Sequence, residues 1–300
     1  MTHLRRLACV AFVAAVPHAS GQTTDVPYVV TPMNVVDAML EIANVGPSDF
    51  VIDLGSGDGR IVIAAAKKRG ARGLGIELDG GLVSGARREA QRQGVESRVE
   101  FKSENLFITD LTRATVITSY LLPRVNLQLR PGLFEQLKPG SRVVSHEFDF
   151  GSWKPDQQVT VRVPNKPYGP PRSEVYLWIV PANAAGRWEW RLPGDQAAVY
   201  SATFEQTFQE LRATATIGGS AARVEKPWMR GEEIRFTLAG ELDGRPVRRE
   251  FVGRVSGDGI VGKARTPNAE SGVPWQATRV VRGKINIDAA AGAPALAAYH

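Results

Sequence analysis

Asp53-Leu54-Gly55-Ser56-Gly57-Asp58-Gly59-Arg60 is the stretch that decides the fold. It stands between the apolar run Phe50-Val51-Ile52 and the helix-like Ile61-Val62-Ile63-Ala64-Ala65-Ala66, the setting of a glycine-rich turn in a strand, loop, helix unit. The alternating Gly55, Gly57 and Gly59 let the backbone take positive φ and approach a ligand with no Cβ in the way. The helix behind them offers unpaired N–H groups, so the turn suits a nucleotide-like ligand.

The spacing then narrows the ligand. A dinucleotide fingerprint places its third glycine at the sixth position, where this chain has Arg60, with Gly59 one residue early. An acid at Asp53, beneath the loop, repels a pyrophosphate but accepts hydrogen bonds from a cationic amino-acid head group. S-adenosyl-L-methionine (SAM) carries such a group. Farther on, Gly73-Leu74-Gly75-Ile76 ends in Glu77, where an acid can take both ribose hydroxyls. Nicotinamide enzymes share that second acid, so Glu77 alone does not separate the two cofactors.

Outward from this motif, strand signals fall at Phe50 to Leu54, Arg72 to Ile76, Val99 to Lys102, Ala114 to Ser119 and Ser141 to Phe148. Helical spacing falls at Thr31 to Ala43, Ile61 to Arg69, Leu82 to Gln93 and Leu127 to Leu137. The alternation predicts an α/β, doubly wound, Rossmann-like sheet. Glu174 to Val180, after a proline-rich loop, reads as an antiparallel return strand. Past residue 185, eight short alternating segments between Arg187 and Val281 are punctuated by Asp243-Gly244 and Gly257-Asp258-Gly259. They predict a small antiparallel all-β domain, a barrel or a sandwich. The expected organisation is a leader over 1–21, an α/β domain over 22–183, the β domain over 184–288 and a mobile tail over 289–300.

Composition bounds the partners. The chain has 300 residues, 43% hydrophobic and 23% charged, with a net charge of +6. That excludes wholesale disorder. The basic clusters, such as Arg245-Pro246-Val247-Arg248-Arg249, read as solvated faces rather than a dedicated nucleic-acid site. Arg5 and Arg6, the apolar Leu7 to Val16 and Ala19-Ser20-Gly21 read as a signal peptide cleaved after Gly21, too short to span a bilayer comfortably. The expected location is exported or periplasmic, with membrane attachment only if the segment is retained. The one cysteine, Cys9, lies inside it, so the mature chain has no disulfide or thiolate chemistry. His146 and His300, the histidines left after cleavage, are too few for a metal site. Export sits uneasily with SAM, which is made in the cytoplasm.

With those residues in hand, the stretch from about Tyr28 to Asp156 resembles class I SAM-dependent methyltransferases. It is most similar to the family of mitochondrial protein-lysine N-methyltransferases and their bacterial relatives. The likeness rests on PYVVTP at 27 to 32, DLGSGDGRIVIAAAK at 53 to 67, GIELD at 75 to 79, TSYLLP at 118 to 123 and VVSHEFDFGSWKPD at 143 to 156. It implies that Asp53, Gly55, Ser56, Gly57 and Gly59 hold the methionine portion of SAM and Glu77 the ribose. Asn105 then takes the adenine edge, and Tyr28 and Thr31 cover the cofactor. It also implies a protein-lysine acceptor, entering past Tyr120 and Pro123 at the end of the fourth strand, with His146 nearby. Asp149, Phe150 and Trp153 read as loop packing. Two other readings stand beside this one: a catalytically inactive, methyltransferase-like binding protein of the cell envelope, and a nicotinamide-dependent oxidoreductase.

Overall fold

The computed structural model describes residues 29–288 apart from 168, 194, 196, 197, 268 and 270. The expected leader with Cys9, the expected tail and Tyr28 lie outside the described residues. The first half of the chain runs α1 (Met33–Ile42), β1 (Phe50–Leu54), α2 (Arg60–Arg69), β2 (Arg72–Glu77), α3 (Gly80–Arg92), β3 (Val99–Ser103) and β4 (Val116–Ser119). It continues through α4 (Pro123–Gln136), β5 (Arg142–His146), β6 (Gln157–Arg162) and β7 (Arg172–Ile179). These strands form one sheet in the order β3-β2-β1-β4-β5-β7-β6. β1 to β5 are parallel and β7 runs against β5, the return strand anticipated from Glu174 to Val180.

Two local features depart from the sequence reading. β6 was not anticipated: Gln157-Gln158-Val159-Thr160-Val161-Arg162 offers only two apolar residues, half-buried against α1. β5 stops at His146 rather than Phe148, because Glu147 takes a φ of 66° and the Phe148 N–H donates back to the His146 carbonyl. That closes a γ-turn, a strained arrangement for a residue with a side chain.

The second half closes on itself. β8 (Gly186–Trp190), β9 (Tyr200–Thr207), β10 (Glu210–Ile217), β11 (Ser220–Arg230), β12 (Glu233–Leu242), β13 (Arg245–Ser256), β14 (Gly259–Arg265) and β15 (Val273–Arg282) pair each with the next. β15 then pairs antiparallel with β8, and this pairing makes a barrel rather than a sandwich. β11 runs farther than its alternation suggested, since Pro227 sits in a bulge between Glu225 and Trp228 where no ladder bond is required of it. Inside, Trp190, Tyr200, Phe236, Phe251 and Trp275 pack with ring centroids 5.0 to 6.2 Å apart, so side chains fill the barrel.

The two halves share a core. Phe208, at the β9–β10 turn, is 2% exposed and packs with Phe134 and Trp153 among the residues beneath α4. The Arg130 guanidinium lies over its ring, 5.1 Å from the centroid. Gly231 meets Gly140 and Ile179, at the edge of the sheet where β5 begins, and its carbonyl accepts from Ala182. The barrel is therefore fixed to the α4 side and to the edge opposite the strand ends that follow the glycine loop. Among the described residues, no helix is long and apolar enough to cross a membrane.

Candidate active site

Gly55, Gly57 and Gly59 have φ of 77°, 53° and 78°, so the loop turns sharply between β1 and α2. A Cβ on Gly55 would lie 2.9 Å from Leu121. One on Gly59 would lie 2.6 Å from the Phe101 ring, so the third glycine serves close packing of the loop against β3 rather than the ligand. The turn opens onto a cleft of about 580 Å³ at the carboxyl ends of β1, β2 and β4. Such a position suits a ligand in an open α/β sheet.

Eight of the residues picked out in the sequence line this cleft: Thr31, Asp53, Gly55, Ser56, Gly57, Glu77, Asn105 and Tyr120. Asp53 is 2% exposed, and one of its oxygens accepts from Thr118 Oγ1 at 2.7 Å. Burial, reinforced by Asp58 and Glu77, pushes its carboxyl up to about 7. Glu77 is held in place by backbone donors, with Oε2 accepting from Gly57 and Oε1 from Leu78 and Asp79. Asn105 Oδ1 accepts from the Phe107 N–H at 3.0 Å, which fixes the amide in the cleft wall. The Ser56 and Ser119 hydroxyls are buried with no hydrogen-bond partner. Orphaned polar atoms of this kind are satisfied by a polar ligand or by water.

Three expected residues lie elsewhere. Pro123 is exposed at the first position of α4, outside the cleft lining. Gly59 is absent from the lining for the packing reason given above. His146 is 1% exposed and does not line the cleft; both its nitrogens are engaged, Nδ1 with Thr31 Oγ1 at 3.1 Å and Nε2 with Ser173 Oγ at 3.0 Å. Burial holds its imidazole down at about 4. His146, expected beside the acceptor entry, is a neutral, fully bonded support rather than part of the cleft lining. It lies under Tyr120, ring centroids 4.0 Å apart. Phe150 and Trp153 are core residues, 1% and 0% exposed, in keeping with loop packing.

Sequence reasoning overlooked Arg60 and Thr118. Arg60 lines the cleft, pairs with Asp58 and donates to the Thr31 carbonyl at 3.0 Å. Thr118 is cross-strand partner to Asp53 in the β1–β4 register. A threonine after the apolar Val116-Ile117 of β4 was its only signal.

Known proteins resemble this half of the chain. Residues 53–157 match the model of the ANTKMT methyltransferase domain. A protein-lysine N-methyltransferase of Saccharolobus islandicus is 42% identical over 156 residues, 52% of this chain and 94% of the relative. The chain belongs to the family of protein-lysine N-methyltransferases. The adenine nucleotide translocase lysine N-methyltransferase of Mus musculus is 36% identical over 130 residues, which are 43% of this chain and 56% of the mouse protein. The match thus spans little more than half the length of that relative. A crystal structure described as an RNA methyltransferase from Salinibacter ruber with S-adenosyl-L-homocysteine is 53% identical, covering 50% of this chain and 93% of that one, at a TM-score of 0.46. The enzyme is a SAM-dependent methyltransferase, and the nicotinamide reading falls away. The family match stops at residue 157, short of the barrel.

Proposed function

We propose that the protein transfers a methyl group from SAM to the ε-amine of a lysine in a protein substrate. The observation that carries this reading is the 42% identity to a protein-lysine N-methyltransferase across 94% of that relative's length. The donors and acceptors of the cleft fit the cofactor. The Asp53 carboxylate, with one oxygen occupied by Thr118, would accept from the ammonium of the amino-acid tail. Glu77 would take the ribose hydroxyls with its remaining lone pairs. Asn105 would accept from the adenine amino group, and Gly55 and Gly57 let the loop lie close to the sulfonium.

Bound there, SAM supplies a methyl group on a positively charged sulfur, and displacement at such a centre asks for position more than for a strong acid or base. Tyr120, half-buried and seated on the His146 ring, forms the acceptor wall with Leu121. A lysine ammonium entering beside these groups loses water, and desolvation disfavours its charged form. Tyr120 thus orients the amine and keeps water from it. We also propose that residues 1–21 direct export; a mature amino terminus at Gln22 in the envelope fraction supports this, and an intact Met1 terminus in the cytosol overturns it.

The test of the acceptor is incubation of the protein with methyl-labelled SAM and envelope extract. Label recovered as methyl-lysine after acid hydrolysis is the expected result. Label confined to RNA, or no transfer at all, overturns the proposal.

A further inference from the structure

A hydrogen-bonded chain runs through the sheet behind the cleft. Ser173 on β7 bonds His146 Nε2, and His146 Nδ1 bonds Thr31, which lines the cleft. The three residues are 0%, 1% and 4% exposed, so water competes for none of these bonds. Thr31 is gripped a second time through its carbonyl, by Arg60 at the start of α2. The pair of grips fixes a segment that precedes the first helix against two elements far along the chain.

Strand order says which part of the ligand Thr31 meets. The cleft runs from Asn105, after β3, past Glu77 on β2, to Asp53 on β1 and Tyr120 after β4. Thr31 is tied to β5, beyond β4, and therefore stands at the end away from Asn105. With the nucleoside over β2 and β3, that end receives the amino-acid tail. Its carboxylate faces a cleft already holding Asp53, Asp58 and Glu77, so it needs a hydroxyl or N–H donor. A neutral imidazole has one donor and one acceptor nitrogen, which makes the chain directional. When Ser173 donates to Nε2, Nδ1–H donates to Thr31 Oγ1, and the threonine proton is left for the cleft.

We propose that His146, fixed by Ser173, is a positioning residue that holds Thr31 as a hydrogen-bond donor to the carboxylate of the cofactor's amino-acid tail. This rests on the SAM reading of the cleft given above. Calorimetry on the full chain with two ligands separates the claims: S-adenosyl-L-homocysteine, and 5′-methylthioadenosine, which keeps the nucleoside and thioether but lacks the tail. His146→Phe retains a ring beneath Tyr120 and removes both nitrogens; Ser173→Ala removes only the far hydroxyl.

The expected result is a loss of about tenfold or more for S-adenosyl-L-homocysteine in His146→Phe, with 5′-methylthioadenosine within twofold of wild type. Ser173→Ala should show a smaller loss with the same ligand preference, and Thr31→Ser should bind like wild type where Thr31→Val does not. Equal losses for both ligands, or none for either, overturn the relay and leave a structural histidine. If His146→Phe fails to fold, Ser173→Ala and the Thr31 pair decide. Wild-type protein that binds neither ligand overturns the cofactor assignment of the cleft itself.

Discussion

The interior of the barrel and the cleft end of the sheet are buried to similar degrees but built from opposite chemistry. In the barrel, Tyr200, Phe204 and Phe251 are 0 to 2% exposed and pack against other rings, and Trp188, 0% exposed, lies beneath the Arg279 guanidinium. At the sheet, Asp53, Ser56, Ser119 and His146 are 1 to 6% exposed and polar, and two of their hydroxyls lack partners. An apolar interior gains from being filled, and here the Trp190 Nε1–H is buried among rings without a partner. A polar one that is incompletely satisfied is stable only because a ligand completes it or because the rest of the fold offsets the deficit. The barrel is where stability is generated and the cleft is where it is given up for binding. No barrel residue reaches the cleft lining.

That division can be broken by experiment. Phe251→Ala removes a ring at 0% exposure that packs against Phe236 and Trp275, and should lower unfolding stability by about 3–5 kcal/mol. Denaturant titration measures the loss. Affinity for S-adenosyl-L-homocysteine should stay within twofold while the variant is folded; a parallel loss would show that the barrel shapes the cleft.

The next largest effect is a pH dependence. Asp53 has its carboxyl raised to about 7 in the free protein, whereas an ordinary aspartate titrates near 3.8. The folded state therefore holds a proton that the unfolded chain has lost, and the contribution of Asp53 to stability falls as pH rises from about 4 to 7. A cofactor ammonium favours the carboxylate, so binding expels that proton. Affinity should climb by about tenfold per pH unit between pH 5 and 6.5 and level off above 7. Asp53→Asn should abolish the slope, and calorimetry in buffers of different ionisation heat should show about one proton released by wild type alone.

Glu77→Ala should weaken S-adenosyl-L-homocysteine by about 10- to 100-fold, the range for hydrogen bonds to a charged group. Unchanged affinity would remove Glu77 from the ribose. Tyr120→Phe is the subtlest change. It keeps the ring on His146 and removes the hydroxyl, so transfer should fall about fivefold with cofactor affinity unaltered. Transfer at the wild-type rate would move the acceptor wall away from the Tyr120 hydroxyl.

The motif from Asp53 to Arg60, the four helices and the five parallel strands were legible because each depends on neighbours in sequence. Glycine takes positive φ where its own turn demands it, and helical or alternating apolar spacing is a local record of one buried face. The barrel strands were legible for the same reason. Their closure was not, since alternation reads alike in a sandwich and a barrel, and the deciding contact joins β8 to β15 across most of that half of the chain. β6 escaped notice because an edge strand buries too little to write a strong pattern.

Within the site, the chain alone determined which acids and glycines stand at the ends of β1 and β2. The tertiary structure decided what they meet: Thr118 beneath Asp53, separated by 65 residues, and Thr31 against His146, separated by 115. It also made His146, expected beside the acceptor entry, a neutral support, with Ser173 as a partner that no motif marked. The physical reason is range. Backbone conformation and amphipathic spacing are fixed within a turn or a strand, whereas burial, and the hydrogen bonds and charge states that follow from it, exist only once distant segments pack and exclude water.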